Sequence, residues 1–216
     1  LERMTYADGA LRLGVLYDLL GRFHHHDMRD ATVQQFMRRY QVDLRQAERV
    51  ERDALALLAQ LVPLEAPAHE SEARFLRWAA QVHEIGLSIA HSGFHKHAAY
   101  IIANADMPGF SRKDQEHLAQ LVLCQRGKLD KLQDVPLTDS LWRLVCALRL
   151  AVLFNRSRDD TPLPASTLRR TPTGFSFDLP GEWLNANPLS ASALADEALV
   201  WQRQGLMLRV RRRFGT

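Results

Sequence analysis

Cysteine is scarce in this chain: its 216 residues include two, Cys124 and Cys146. Two thiols give no disulfide framework and no C-x-x-C metal motif, so a reducing cytoplasm is the simplest compartment. Long apolar runs are missing as well. The longest, Ala54 to Leu64, is broken by Gln60 and Pro63 and is too short to span a bilayer. No secretory leader is visible. No internal repeat, low-complexity tract, P-loop, G-x-G-x-x-G or G-x-S-x-G appears, so the common nucleotide and hydrolase fingerprints offer no way in. The chain begins on Leu1 without an initiator Met, in what reads as the approach to a helix, and is expected to be a piece of a longer protein.

What is present describes a soluble globular protein: 46% hydrophobic and 25% charged residues, in a length that fits one large domain or a medium domain with a small one. The formal charge is +3, but Arg209, Arg211, Arg212 and Arg213 crowd the last eight residues. Such a patch points toward phosphate-rich partners; a solvated charged end is the plainer reading of the arginines by themselves.

Helical spacing dominates as far as about residue 160. Leu11, Val15, Leu16, Leu19 and Leu20 recur at three- and four-residue steps before Gly21, an entry helix. Asp30 or Thr32, the latter with Gln35 at capping-box spacing, opens a second helix. Asp43 caps a third that Pro63 and Pro67 close. Glu72 to Ile85 forms another, weakened by Gly86. A new helix follows Ser92 as N-cap, with His95, Ala98, Ala99, Ile101 and Ile102. Ser111 with Asp114 opens the next. Thr138 or Asp139 opens one more, in which Leu141, Val145, Leu148 and Val152 share a face. Then Ser157 to Pro164 is polar and carries two prolines, a boundary. Beyond it Phe175, Phe177 and Leu179 alternate as in a half-buried strand, Asn187 or Ser190 starts a helix through Trp201, and Leu206, Leu208 and Val210 alternate with Met207, Arg209 and Arg211. The expectation is a mainly α fold: an entry helix over 1–20, an all-helical domain over 21–160, and a small α/β domain over 161–216.

The chemistry gathers between residues 79 and 97, which hold four of the nine histidines together with Glu84 and Lys96. Three readings fit. His83-Glu84 with further histidines forms an N/O set for a divalent ion and its activated water; or the imidazoles and Lys96 bind an anion; or the histidines are satisfied core and surface groups.

The segments His83-Glu84-Ile85-Gly86, His91-Ser92-Gly93-Phe94-His95-Lys96-His97 and Asn104-Ala105-Asp106-Met107-Pro108-Gly109-Phe110-Ser111 resemble the C-terminal half of bacterial exopolyphosphatases of the exopolyphosphatase/guanosine pentaphosphate phosphohydrolase family. Ala10-Leu11-Arg12, Gly14-Val15-Leu16-Tyr17-Asp18, Thr32-Val33, Arg39-Tyr40 and Gln46-Ala47-Glu48-Arg49-Val50 add to the likeness; Leu13 departs from the family's usual Glu. The resemblance implies actin-like N-terminal lobes that are absent here, with divalent metal (magnesium) in the full-length parent. It further implies a helical domain resembling the HD phosphohydrolase fold, a homodimer, and inorganic polyphosphate as ligand.

By that resemblance the HD metal positions fall on Gln46, on the pair His83-Glu84 and on Val152. Gln is a poor ligand and Val is none, so the anion reading gains. If Ser92 caps the helix beginning near Gly93, first-turn N–H groups favour a phosphate beside His95 and Lys96. A bound polyanion would restore the proton of an imidazole there, and Lys96 supplies a charge independent of pH. The polyphosphate-binding set expected is His91, His95, Lys96, His97, Arg126 and Lys128. The resulting expectation is a fragment that grips and guides polyphosphate and supports dimerisation, inactive alone. The alternatives are a self-sufficient metal-dependent HD-type phosphohydrolase and a structural interaction module.

Overall fold

The computed structural model describes residues 27–136 and 138–213; the entry helix and Leu13 fall outside them. Eight α-helices and three strands form among the described residues, a mainly α bundle followed by a small α/β region.

Helix α1 (Met28–Arg39) is capped three to five residues before the expected position. Asp27 is its cap, accepting from the Arg29 N–H at 3.0 Å. Arg29 forks onto the same carboxylate and Arg74 adds a single bond from Nη1 at 2.9 Å, so the start is fixed in part by a contact 47 residues away in sequence. Thr32 lies one turn inside and donates its hydroxyl to the Pro108 carbonyl. Helix α2 (Leu44–Ala59) begins as expected, with Asp43 accepting from the Gln46 N–H at 3.1 Å. Pro67 opens helix α3 (Pro67–Val82) and so does not close its predecessor: at the first helical position the missing N–H costs nothing. The helix therefore begins earlier than Glu72 and stops at Val82, before a 3₁₀ turn over Ile85–Ser88.

Gly86 in that turn is required by close approach. A Cβ there would lie 2.0 Å from the Phe94 carbonyl oxygen, so the glycine lets helix α4 (Phe94–Asn104) sit directly on the turn. The cap of α4 is Gly93, at φ 68°, and no side chain caps the helix; Ser92 lies outside it. The left-handed turn that aims the chain into α4 places the cap one residue later than Ser92. Helix α5 (Arg112–Cys124) carries the full capping box of Ser111 and Asp114. Helix α6 (Leu141–Phe154) begins after Ser140, with the Asp139 carboxylate accepting from the Leu141 N–H. It is buried on nearly every side and is the hub against which α2, α3 and α5 pack.

Strand β1 (Thr167–Thr171) is antiparallel to β2 (Gly174–Pro180), which is parallel to β3 (Met207–Arg213). The crossover runs through α7 (Gly181–Ala186) and α8 (Pro188–Arg203), the latter preceded by Asn187. As the central strand, β2 buries Ser176 as well as Phe175, Phe177 and Leu179. β1 was not expected from the sequence, because Leu168 is its one buried side chain. The core is continuous from bundle to sheet: Trp142 meets Trp201 at 5.8 Å, Trp201 meets Phe175 at 5.5 Å and Phe154 meets Phe177 at 5.9 Å. Both thiols lie inside it, and burial pushes Cys124 up to about 11 and Cys146 higher still. No helix among the described residues is long and apolar enough to cross a membrane.

Candidate functional site

Of the positions that the HD resemblance marks, Gln46 is held by the Arg49 guanidinium and Glu84 by that of Arg158. The Gln46 amide donates to the Asn155 carbonyl at 2.8 Å, and its oxygen accepts from Arg49 Nη2 at 2.9 Å and Nε at 3.3 Å. Arg49 Nη1 donates to Asp160 at 2.9 Å. Asn155 closes the network by donating to Asp53 at 2.8 Å. Val152, one turn before Asn155, is a half-buried side chain packed on the core. His83 is fully buried, with Nδ1 at 2.6 Å from the Ala80 carbonyl, and burial pushes its imidazole pKa down. Its Nε2 stands 3.9 Å from Glu84, whose carboxylate accepts from Arg158 at 2.6 Å.

These residues do not fit a divalent ion. Guanidinium groups already occupy the oxygens of Gln46 and Glu84, the apolar Val152 offers no ligand atom, and no group of three or more His, Cys, Asp or Glu among the described residues is placed to hold a metal. Arg49, Asp53 and Asn155 were not singled out from the sequence. The signal was the spacing of Gln46, Arg49 and Asp53 along one helix face, which an apolar periodicity search passes over.

The histidine cluster divides. His95 and Lys96, in the first turn of α4, line a cleft of about 760 Å³ with Gly127, Lys128, Asp130, Lys131 and Gln133 from the chain after α5. Arg126 stands beside it, its guanidinium 5.7 Å from the centre of the Phe94 ring. His91 is exposed near Phe94, and His97 is half-buried; neither lines the cleft. Lys131 was not expected at the site; three residues beyond Lys128, it is brought in by the short 3₁₀ turn Asp130–Leu132.

Electrostatics make the cleft cationic around a neutral imidazole. Burial pushes the His95 pKa down to about 4, and Lys131, Arg126, Lys96 and Arg149 add to the shift. Its Nδ1 is buried without a hydrogen-bond partner. Burial also lowers the Lys131 pKa, and its ammonium donates to the Leu123 carbonyl at 2.8 Å. Arg149 is committed, forking onto Glu197 and donating to the Cys124 carbonyl. Asp130 is the one carboxylate in the lining, against His95, Lys96, Lys128 and Lys131.

The sheet adds a second basic surface. The register sets Arg169, Ser176 and Arg209 side by side, and Thr167, Asp178 and Arg211 likewise, so the face away from Phe175 and Phe177 carries Arg169, Arg209, Arg211 and Arg213. Asp178 pairs with Arg169 there at 3.2 Å.

Fold and electrostatics thus define a mainly α domain with a basic cleft and a basic sheet face. Residues 28–198 match the family described as Ppx/GppA phosphatase, domain III, and the chain belongs to that family. Among its curated relatives are guanosine-5'-triphosphate,3'-diphosphate pyrophosphatases. That of Aeromonas hydrophila is 38% identical over 95% of this chain and 42% of its own length. Those of Photobacterium profundum and Aeromonas salmonicida are 36% and 37% identical, over 92% and 95% of this chain and 40% and 42% of their lengths. The chain therefore spans about two fifths of the curated relatives it matches.

Proposed function

We propose that this chain is the phosphate-gripping part of a bacterial cytoplasmic phosphoanhydride hydrolase. It holds and guides inorganic polyphosphate as a homodimer, while N-terminal lobes with magnesium remove the terminal phosphate. The observation that carries the reading is the cleft of His95, Lys96, Lys128 and Lys131, where an imidazole with no hydrogen-bond partner at Nδ1 is kept neutral among cations. A phosphate chain entering there neutralises the lysines, relieves the repulsion on His95 and lets it take up a proton and donate from Nδ1 or Nε2. Several such contacts release counterions together, which favours long anions over short ones.

The names of the relatives favour a second reading, in which the anion is guanosine pentaphosphate. Both ligands present the same phosphate chemistry to the cleft. Titration with long polyphosphate, tripolyphosphate and guanosine pentaphosphate at two salt concentrations separates them. Polyphosphate gripping requires affinity that rises with chain length and falls with salt, and that drops in His95→Ala with Lys96→Ala. Equal affinity for all lengths with preference for the nucleotide would support the second reading. No binding with retained dimerisation would leave a structural module.

A further inference from the structure

A second cleft, of about 450 Å³, lies on α2 between Arg45, Glu48, Arg49, Arg52 and Asp160. Arg49 is its floor. The residue is 6% exposed, yet the carboxylate that answers its charge, Asp160, belongs to a side chain 85% exposed on the polar segment after α6. A buried guanidinium is costly unless paired and hydrogen-bonded, and the economical partner is a buried acid. One is at hand four residues along the helix: Asp53 is 3% exposed, but it accepts from Arg52 and Asn155 instead. Arg49 is turned by Gln46 toward the cleft, where its acceptor is open to solvent and exchange.

The rim carries further donors. Arg52 uses Nε on Asp53 at 2.8 Å, and its side chain is exposed. Arg45 lines the cleft with no ion pair among the described residues. Glu48 and Asp160 oppose the three arginines, so the lining has a net charge of +1, which becomes +2 when Asp160 swings away. Guanidinium forks match the planar oxygen pairs of phosphate and carboxylate alike.

We propose that this cleft is a phosphate-group site in which Asp160 is a displaceable stand-in, holding Arg49 until a phosphate oxygen replaces its carboxylate. The ligand is a diphosphate group, free or at the end of a nucleotide. It is independent of the His95 cleft and shares no residue with it.

The test is calorimetric titration of the full chain with inorganic pyrophosphate and, separately, with guanosine diphosphate. Asp160→Asn removes the competing charge and should tighten binding at least about tenfold, whereas Arg45→Ala with Arg52→Ala should weaken it by a similar factor. Both variants leave Arg49 and its buried partners in place, and circular dichroism confirms their fold. Lys96→Ala with Lys128→Ala should leave the affinity unchanged. Tighter pyrophosphate than guanosine diphosphate binding identifies the free anion, and the reverse identifies the nucleotide. Unchanged or weaker affinity in Asp160→Asn overturns the proposal, as does affinity that follows Lys96 and Lys128 in place of Arg45 and Arg52.

Discussion

At His95 burial and four cationic neighbours act in one direction, which makes the imidazole a charge that appears on demand. Its folded pKa is about 4, against an ordinary value of 6.5. Between those values the unfolded chain binds more protons than the folded one, so stability falls as pH drops from 6.5 toward 4, and outside that window this group adds no further pH dependence. Urea midpoints measured from pH 7 to pH 4 should therefore decline less steeply in His95→Gln than in the parent chain. Ligand binding couples the opposite way. A polyanion in the cleft raises the imidazole pKa, so polyphosphate affinity should increase as pH falls from 7 to 5, and His95→Gln should flatten the increase. His83 is also held neutral by burial, but its Nδ1 is already committed to the Ala80 carbonyl. The two histidines of one sequence stretch are thus chemically unlike, a distinction set by residues that the local sequence does not contain.

Among the elements, α4 depends on its seat. The 3₁₀ turn Ile85–Ser88 and the N-terminus of α4 touch through backbone at Gly86, where a methyl group would meet the Phe94 carbonyl and the Ala98 N–H at 2.0 and 2.5 Å. Neither can yield as a flexible side chain would. Gly86→Ala is expected to cost about 1–3 kcal/mol of unfolding free energy, read from denaturant melts. It should also weaken polyphosphate binding beyond that loss, since α4 carries His95 and Lys96.

Element starts written in the sequence were those fixed locally, such as Asp43 with Gln46 and Ser111 with Asp114. The start of α1 was not legible, because Arg74 joins Arg29 on Asp27 from another helix. Pro67 was misread because proline stops one helix and starts another with the same ring. β1 escaped notice because a Thr-Leu-Arg-Arg-Thr strand gains its stability from pairing with β2 and shows little apolar alternation of its own. For the sites, His95 and Lys96 were visible as basic residues near one helix start, and Lys128 as another after the following helix. The Gln46–Asn155 bond, spanning 109 residues, was beyond any local pattern.

Across the whole molecule, bundle and sheet share one core. Phe154 contacts both Phe177 and Trp183, Trp142 contacts Trp201, and Arg149 of the bundle is locked to Glu197 of α8 with both groups buried. Removing one partner of such a pair strands a buried charge, so bundle and terminal unit are expected to unfold together. Tryptophan fluorescence, far-ultraviolet dichroism and calorimetry should report one coincident transition; two separated transitions would mean that residues 161–213 form a unit of their own. The same sealed interior has a practical side. Cys124 and Cys146 offer neither access nor thiolate at neutral pH. A single cysteine placed at Lys128 or Asp160 would be the one maleimide-reactive position among the described residues, so a dye could be put on the rim of either cleft with the native thiols left in place.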